Sequence, residues 1–150
     1  MKIVKNLFYL FLPVVLGSIV GFLISGDIDY SNLIKPPLAP SKILFPIVWT
    51  IIYILMGLSY FILKRNEKDT KLESIVYYAQ LFVNLLWSII FFNLEWRFFA
   101  IIWIFLLDIL VALMTYLFYN KNKLSGYLNI PYMVWILFAT YLTIGIYILN

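Results

Sequence analysis

Apolar residues in this chain do not alternate with polar ones; they come in long, nearly unbroken runs separated by short polar links. Crossing roughly 30 Å of hydrocarbon takes about 20 helical residues at about 1.5 Å each. Five runs qualify: Leu7 to Ser25, Ile43 to Leu63, Ser74 to Leu94, Phe98 to Tyr119 and Leu128 to Leu149. They lack the period-two alternation and frequent turns of barrel strands, so helices are expected, with every backbone hydrogen bond closed inside its own segment. The links are a Pro-rich stretch before Ile43, a charged run from Lys64 to Glu73, a turn at Asn93 to Arg97, and Asn120 to Tyr127. Links this short make successive helices antiparallel neighbours, which predicts one five-helix transmembrane domain over residues 1–150 and no second domain. Prolines also occur at helix depth. Pro46 and Pro131 suit the opening turns of helices, whereas Pro13 is expected to kink one.

Composition supports the membrane reading and narrows the chemistry. The chain is 65% hydrophobic and 12% charged, far from the balance of a soluble domain. It contains no cysteine and no histidine, which excludes thiolate nucleophiles, disulfides, Cys/His metal sites, His-ligated haem and Ser-His-Asp catalysis. No metal site is expected. The net charge of +4 is confined to the links and builds no basic, aromatic-interleaved face, so no nucleic-acid partner is expected. It reads instead as orientation. Lys2, Lys5, Lys64, Arg65, Lys68, Lys71, Lys121 and Lys123 fall on one side, and Lys35, Lys42 and Arg97 on the other. The positive-inside rule then places the N-terminus in the cytoplasm, with the Pro-rich loop and the C-terminus outside. The opposing reading makes residues 1–26 a cleaved signal peptide; the apolar run is longer than an ordinary signal core and no A-x-A-like site follows it, which favours a retained helix.

Polar groups within the spans are the candidates for function. Asp108, near the middle of the fourth span, is the one ionisable acidic or basic group at membrane depth; its alternatives are an interhelical hydrogen bond or a ligand or proton role. Gln80, Asn84 and Trp87 share one helical face at i, i+4 and i+7. They could contact a ligand, or bond across to Asp108 and to tyrosines. Trp49 with Tyr53, and Trp135 with Tyr132 and Ala139, lie at helical spacing near proline-marked ends. Such groups could wall a flat aromatic ligand, with the small Ala139 leaving room, or simply pack between helices. Tyr30, Trp96 and Tyr119 suit an interfacial belt. Gly17-Ser-Ile-Val-Gly21 is a GxxxG, permitting close approach within the bundle or between protomers. The Lys64 to Glu73 bases could reach anionic lipid.

Taken in order, certain stretches resemble one family. They are Lys35-Pro-Pro with Pro40, Phe45, Val48-Trp-Thr50 with Tyr53 and Met56-Gly57, Asn84-Leu-Leu-Trp-Ser88 with Phe91-Phe92, Asp108, Pro131-Tyr-Met-Val-Trp135 with Phe138-Ala-Thr140, and Leu149-Asn150. Their order and spacing resemble the translocator protein or tryptophan-rich sensory protein (TspO/MBR) family, formerly the peripheral benzodiazepine receptor family, from Tyr30 onward. The resemblance implies a bacterial-type membrane receptor, often a homodimer, in which the Pro-rich loop between helices 1 and 2 is a lid. Beneath the lid it implies a pocket for porphyrins such as protoporphyrin IX and for benzodiazepine-site ligands. Carried over residue by residue, the pocket positions are Tyr30, Trp49, Asn84, Asp108, Trp135 and Ala139, with Tyr53, Trp87 and Phe138 alongside. Trp49 and Trp135 match tryptophans tied to light-dependent protoporphyrin degradation in some relatives, a reaction that needs no added cofactor: a photoexcited porphyrin could transfer an electron from an indole or sensitise oxygen under a closed lid. Departures fall in the lid, where Asp29, Leu38 and Ser41 stand at positions that carry Trp, Trp and Pro in relatives. No basic residue follows Tyr147, so the cholesterol motif of animal members is missing. The expected partners are membrane lipid and porphyrin-type molecules. A transporter using Asp108 as a coupling group, and a sensor that binds without turnover, are the rival readings.

Overall fold

The computed structural model describes residues 2–26, 29–66, 68 and 70–150. All regular structure among them is helical: α1 (Lys2–Ile24), α2 (Leu44–Arg65), α3 (Lys71–Ser88), α4 (Arg97–Lys121), α5 (Lys123–Leu128) and α6 (Ile130–Leu149). Five helical segments are long and apolar enough to cross a membrane, the fifth being α5 and α6 run together over Lys123–Leu149. The chain is thus an all-α five-span bundle. Helix α1 packs mainly on α2, α2 also meets α5, and α4 lies between α3 and α6.

Local chemistry sets the ends. A reciprocal capping box opens α3, with the Thr70 N–H and hydroxyl both held by the Glu73 carboxylate, satisfying donors that the first turn leaves orphaned. Pro46 and Pro131 fall in the first turns of α2 and α6, where a missing N–H breaks no helical bond. Pro13 lies inside α1, which remains one continuous helix through it. Two expected links differ. Asn120 to Tyr127 is not a loop: α4 runs on to Lys121, and α5 starts at once because the Asn122 side chain accepts the Ser125 N–H at 3.1 Å. The third span ends in a wide π turn over Ile89–Asn93, closed by Leu94 N–H to the Ile89 carbonyl at 2.9 Å; such turns insert an extra residue and re-aim the side chains around them.

The core is aromatic at both ends. At the end away from the Pro-rich segment, Tyr60 and Tyr77 stack with ring centres 3.9 Å apart, and the Lys64 ammonium lies 5.3 Å from both the Tyr9 and Tyr60 rings. Lys64 is therefore packed on aromatic faces, a role that the sequence did not suggest for the charged run it opens. Nearby, the Ser59 and Ser125 hydroxyls each donate to the other's carbonyl, fastening α2 to α5. Helices α1 and α2 touch closely at one level, since a Cβ on Gly57 would overlap the Leu10 carbonyl oxygen. A Cβ on Gly17 would overlap the Tyr53 ring, yet one on Gly21 would meet nothing within 4 Å. The GxxxG glycines thus do different things: Gly17 admits Tyr53, and by Gly21 the two helices have splayed apart.

Candidate functional site: a tryptophan cluster beneath the Pro-rich segment

The Pro-rich segment is tied down along its length. Tyr30, only 3% exposed, donates its hydroxyl to the Pro40 carbonyl at 2.8 Å. Burial raises its phenol pKa above the ordinary tyrosine value. The Tyr141 hydroxyl donates to the Pro37 carbonyl at 2.7 Å. Asn150, just past α6, grips Ile34 twice, accepting its N–H at 3.0 Å and donating to its carbonyl at 2.8 Å. Pro36 rests on Gly145, where an added Cβ would come within 2.6 Å of the proline ring. The segment is a cover latched to α6. Leu38 and Ser41, two of its departures, point away: Leu38 is 85% exposed at a φ of 69°, and Ser41 is exposed. Asp29 accepts an amide bond from Asn32 at 2.9 Å.

Beneath the cover lies a cluster centred on Trp49. Its ring is 5.7 Å from Tyr53, stacked at 30°, and 6.4 Å from both Trp87 and Trp135; Tyr132 meets it edge-on at 6.3 Å. Phe45 bridges the cover to the cluster, edge-on to Tyr30 at 5.1 Å and to Trp135 at 6.1 Å. Trp87 stacks on Phe91 at 5.4 Å, and Phe138 lies 5.5 Å from Trp135. Asn84, 1% exposed, supports the cluster from behind: it accepts the Tyr53 hydroxyl at 2.6 Å and donates to the Tyr132 hydroxyl at 2.5 Å. Trp103 satisfies its indole by donating to the Val83 carbonyl at 2.8 Å. The buried indole nitrogens of Trp87 and Trp135, by contrast, find no hydrogen-bond partner among the described residues. An unpaired buried donor costs about 1–3 kcal/mol, so each of these N–H groups is open to an acceptor from water or a ligand, as the Tyr77 hydroxyl, Gln80 Oε1 and Asp108 Oδ1 are to partners elsewhere in the bundle.

Two cavities adjoin Trp49. One, about 10 Å³, lies under the cover, walled by Tyr30, Phe45, Trp49, Trp87, Ala139 and neighbours; it is room for about one water. The other, about 650 Å³, lies on the opposite side between α1 and α2, where Trp49, Tyr53, Phe45 and Phe92 face Val14, Gly17, Gly21 and Ile24. Of the residues singled out from sequence, Tyr30, Trp49, Trp87 and Ala139 line the small space, and Trp49 and Tyr53 line the large one. Asn84, Trp135 and Phe138 stand behind these walls. Asp108 is farther off on α4, where Thr140 donates to its Oδ2 at 2.8 Å, which holds α6 in the register that turns Ala139 inward. Of the bonds from Gln80 and Asn84 that the spacing allowed, those to tyrosines are made by Asn84 and none to Asp108 is seen: the Gln80 amide turns to the Met56 sulfur at 3.2 Å. The periodicity placed α3 correctly, but it could not say which neighbour that face meets. Sequence reasoning named Lys42 only for its charge and Phe92 only within the family pattern, not as walls of a cavity, and for the α1 wall its only signal was the pair of glycines. No group of three or more metal-ligating acidic side chains occurs among the described residues.

Comparison with known proteins agrees with this architecture. The chain is 37% identical over 123 residues to a tryptophan-rich protein TspO of Archaeoglobus fulgidus, covering 81% of this chain and 79% of that one. It is 32% identical over 133 residues to protein CrtK of Rhodobacter capsulatus, covering 87% and 83%. A tryptophan-rich sensory protein of Cereibacter sphaeroides is 31% identical over 121 residues, covering 80% and 75%. With residues 9–149 matching the TspO/MBR family pattern on a bundle of five membrane-spanning helices, this chain is an integral membrane protein that belongs to the TspO/MBR family.

Proposed function

We propose that the chain is a membrane receptor for tetrapyrroles such as protoporphyrin IX, held against the Trp49, Trp87 and Trp135 cluster beneath the Pro-rich cover. The observation that carries this reading is the aromatic-walled space under the cover, with Trp87, whose indole N–H is partnerless, in its wall, and Trp135, in the same condition, packed against Trp49 behind it. A conjugated macrocycle offers faces for the indoles, and its carboxylate or carbonyl oxygens can accept the two N–H groups. The space under the cover is too small for such a ligand while the latches are closed, so binding requires the cover to lift. The sensory name of the Cereibacter sphaeroides relative supports a receptor-like role. A photoexcited porphyrin against Trp49 or Trp135 could also be consumed, the closed cover confining the reactive product.

The test is a titration of the purified, detergent-solubilised protein with protoporphyrin IX in darkness, following tryptophan quenching and the Soret band. Saturable binding is expected, about tenfold weaker in Trp135→Phe, which loses one donor and part of one wall. A variant indistinguishable from the parent would overturn the site. Illumination in air then separates turnover from binding: loss of the Soret band only with protein present means that the ligand is degraded, and a stable band means a receptor without turnover.

A further inference from the structure

The 650 Å³ cavity between α1 and α2 is not needed for the tetrapyrrole reading, and its shape is that of a different ligand. Its cause is a divergence of two helices. They are locked together where Gly57 meets Leu10 and still tight where Gly17 meets Tyr53, and they have parted at Gly21, with open space around its Cα. The wedge therefore widens toward the end that carries the cover. The cavity follows α1 from Val14 to Ser25, about 16 Å at the helical rise, or roughly half of a 30 Å hydrocarbon layer. Ser18, Gly21, Pro46 and Thr50 in its walls are exposed, so it opens sideways to the bilayer. Its charge sits at one end. The walls are mostly apolar, with the hydroxyls of Ser18, Thr50 and Ser88 among them, and the one cation, Lys42, stands with Ser25 at the wide end, where α1 ends and α2 has yet to begin.

An elongate slot one leaflet deep, mostly apolar in its walls, with a cation at one end, matches a single-chain amphiphile with an anionic head. We propose that this wedge binds such a molecule, of the fatty-acid class, taken laterally from the bilayer, with its carboxylate at Lys42 and its chain between Gly21 and Trp49. The volume falls in the range of sites for one small ligand, which favours one acyl chain over the two of a phospholipid. Because Trp49 and Phe45 wall both cavities, the occupant would touch the back of the tryptophan cluster and be visible to it.

That visibility supplies the assay. The full chain is placed in phosphatidylcholine nanodiscs and titrated with 9,10-dibromostearate, whose bromines quench nearby indoles on contact. Saturable quenching is expected, largely lost in Trp49→Phe. Lys42→Gln should weaken it about fivefold, the effect of one interfacial cation on an anion. Gly21→Leu should abolish it by filling the wedge where the added side chain has room, while an unchanged helical circular dichroism spectrum and thermal midpoint of the same variant show that the bundle is intact. Quenching that is non-saturable, or unmoved by both Lys42→Gln and Gly21→Leu, would overturn the site as ordinary annular lipid contact. A brominated phosphatidylglycerol that matches the fatty acid in affinity would overturn the single-chain assignment. None of these readouts depends on tetrapyrrole affinity, so failure of one reading does not entail failure of the other.

Discussion

If the Pro-rich segment must lift before a macrocycle can reach Trp87 and Trp135, loosening its latches should speed ligand entry by a calculable factor. Asn150 makes two bonds to the backbone of Ile34, at 3.0 and 2.8 Å, both in exposed surroundings where water can replace them. Each then counts at the low end of a net hydrogen bond, about 0.5 kcal/mol. Asn150→Ala should therefore raise the opening equilibrium by about fivefold, since about 1.4 kcal/mol is tenfold. Adding Tyr141→Phe, which removes the 2.7 Å bond to Pro37, should bring the factor to about ten. When opening is rare and precedes binding, the observed association rate scales with the open fraction. Stopped-flow quenching by protoporphyrin IX should thus show the same factors, and in Tyr141→Phe alone, where the Ile34 amide keeps its Asn150 acceptor, hydrogen exchange at that amide should accelerate in parallel with association. Faster exchange at Ile34 with an unchanged association rate would refute the reasoning, because the cover would then be loose and yet not on the ligand's path.

Two further outcomes follow from single side chains. Replacing Asn84 by Leu strands the Tyr53 and Tyr132 hydroxyls; interhelical hydrogen bonds in membranes average about 0.6 kcal/mol, so two should cost about 1–2 kcal/mol, seen as a lower midpoint of unfolding in mixed detergent, and an unchanged midpoint would contradict the bracing role. Tyr30 has its phenol pKa raised by burial, so the closed cover holds its proton more tightly than the open one: its contribution is complete below the ordinary tyrosine pKa of about 10 and is lost as pH rises through the higher closed-state value. The porphyrin association rate should accordingly stay flat to about pH 9 and rise above pH 10 in the parent, with a smaller rise in Tyr30→Phe.

The five spans were legible because the bilayer imposes a length and a continuity that any chain must satisfy, and the apolar runs show both. The aromatic pairs were legible for the same kind of reason: Trp49 and Tyr53 are four residues apart on one helix, so their stacking is local geometry. Contacts between helices were not. Gln80 faces inward as its spacing demands, but only the packed bundle shows that Met56, not Asp108, waits opposite. The link at Asn120 to Tyr127 misled because its polar composition resembles a loop, while one Asn122 cap was enough to continue the chain as helix. The splay between α1 and α2 left the least trace, since it depends on where Gly57 and Gly17 pin the pair and on what fails to meet Gly21.

Those pins explain why one residue can serve both spaces. Tyr53 is held by Asn84 at its hydroxyl and fits against Gly17 along its ring, so the lower edge of the wedge and the brace behind the cluster are the same side chain. Trp49, one turn above it, stacks on that fixed ring and has the wedge on one side and the cover on the other. Its support is rigid below and less filled on both flanks, since the cover hangs on a few exposed hydrogen bonds and α1 has parted from α2 above Gly17. A ligand entering either flank therefore pushes on the same indole. Coupling between the two sites follows from that placement if each occupant shifts Trp49 in the direction the other opposes, and the free energy that links them must by reciprocity be the same whichever ligand binds first.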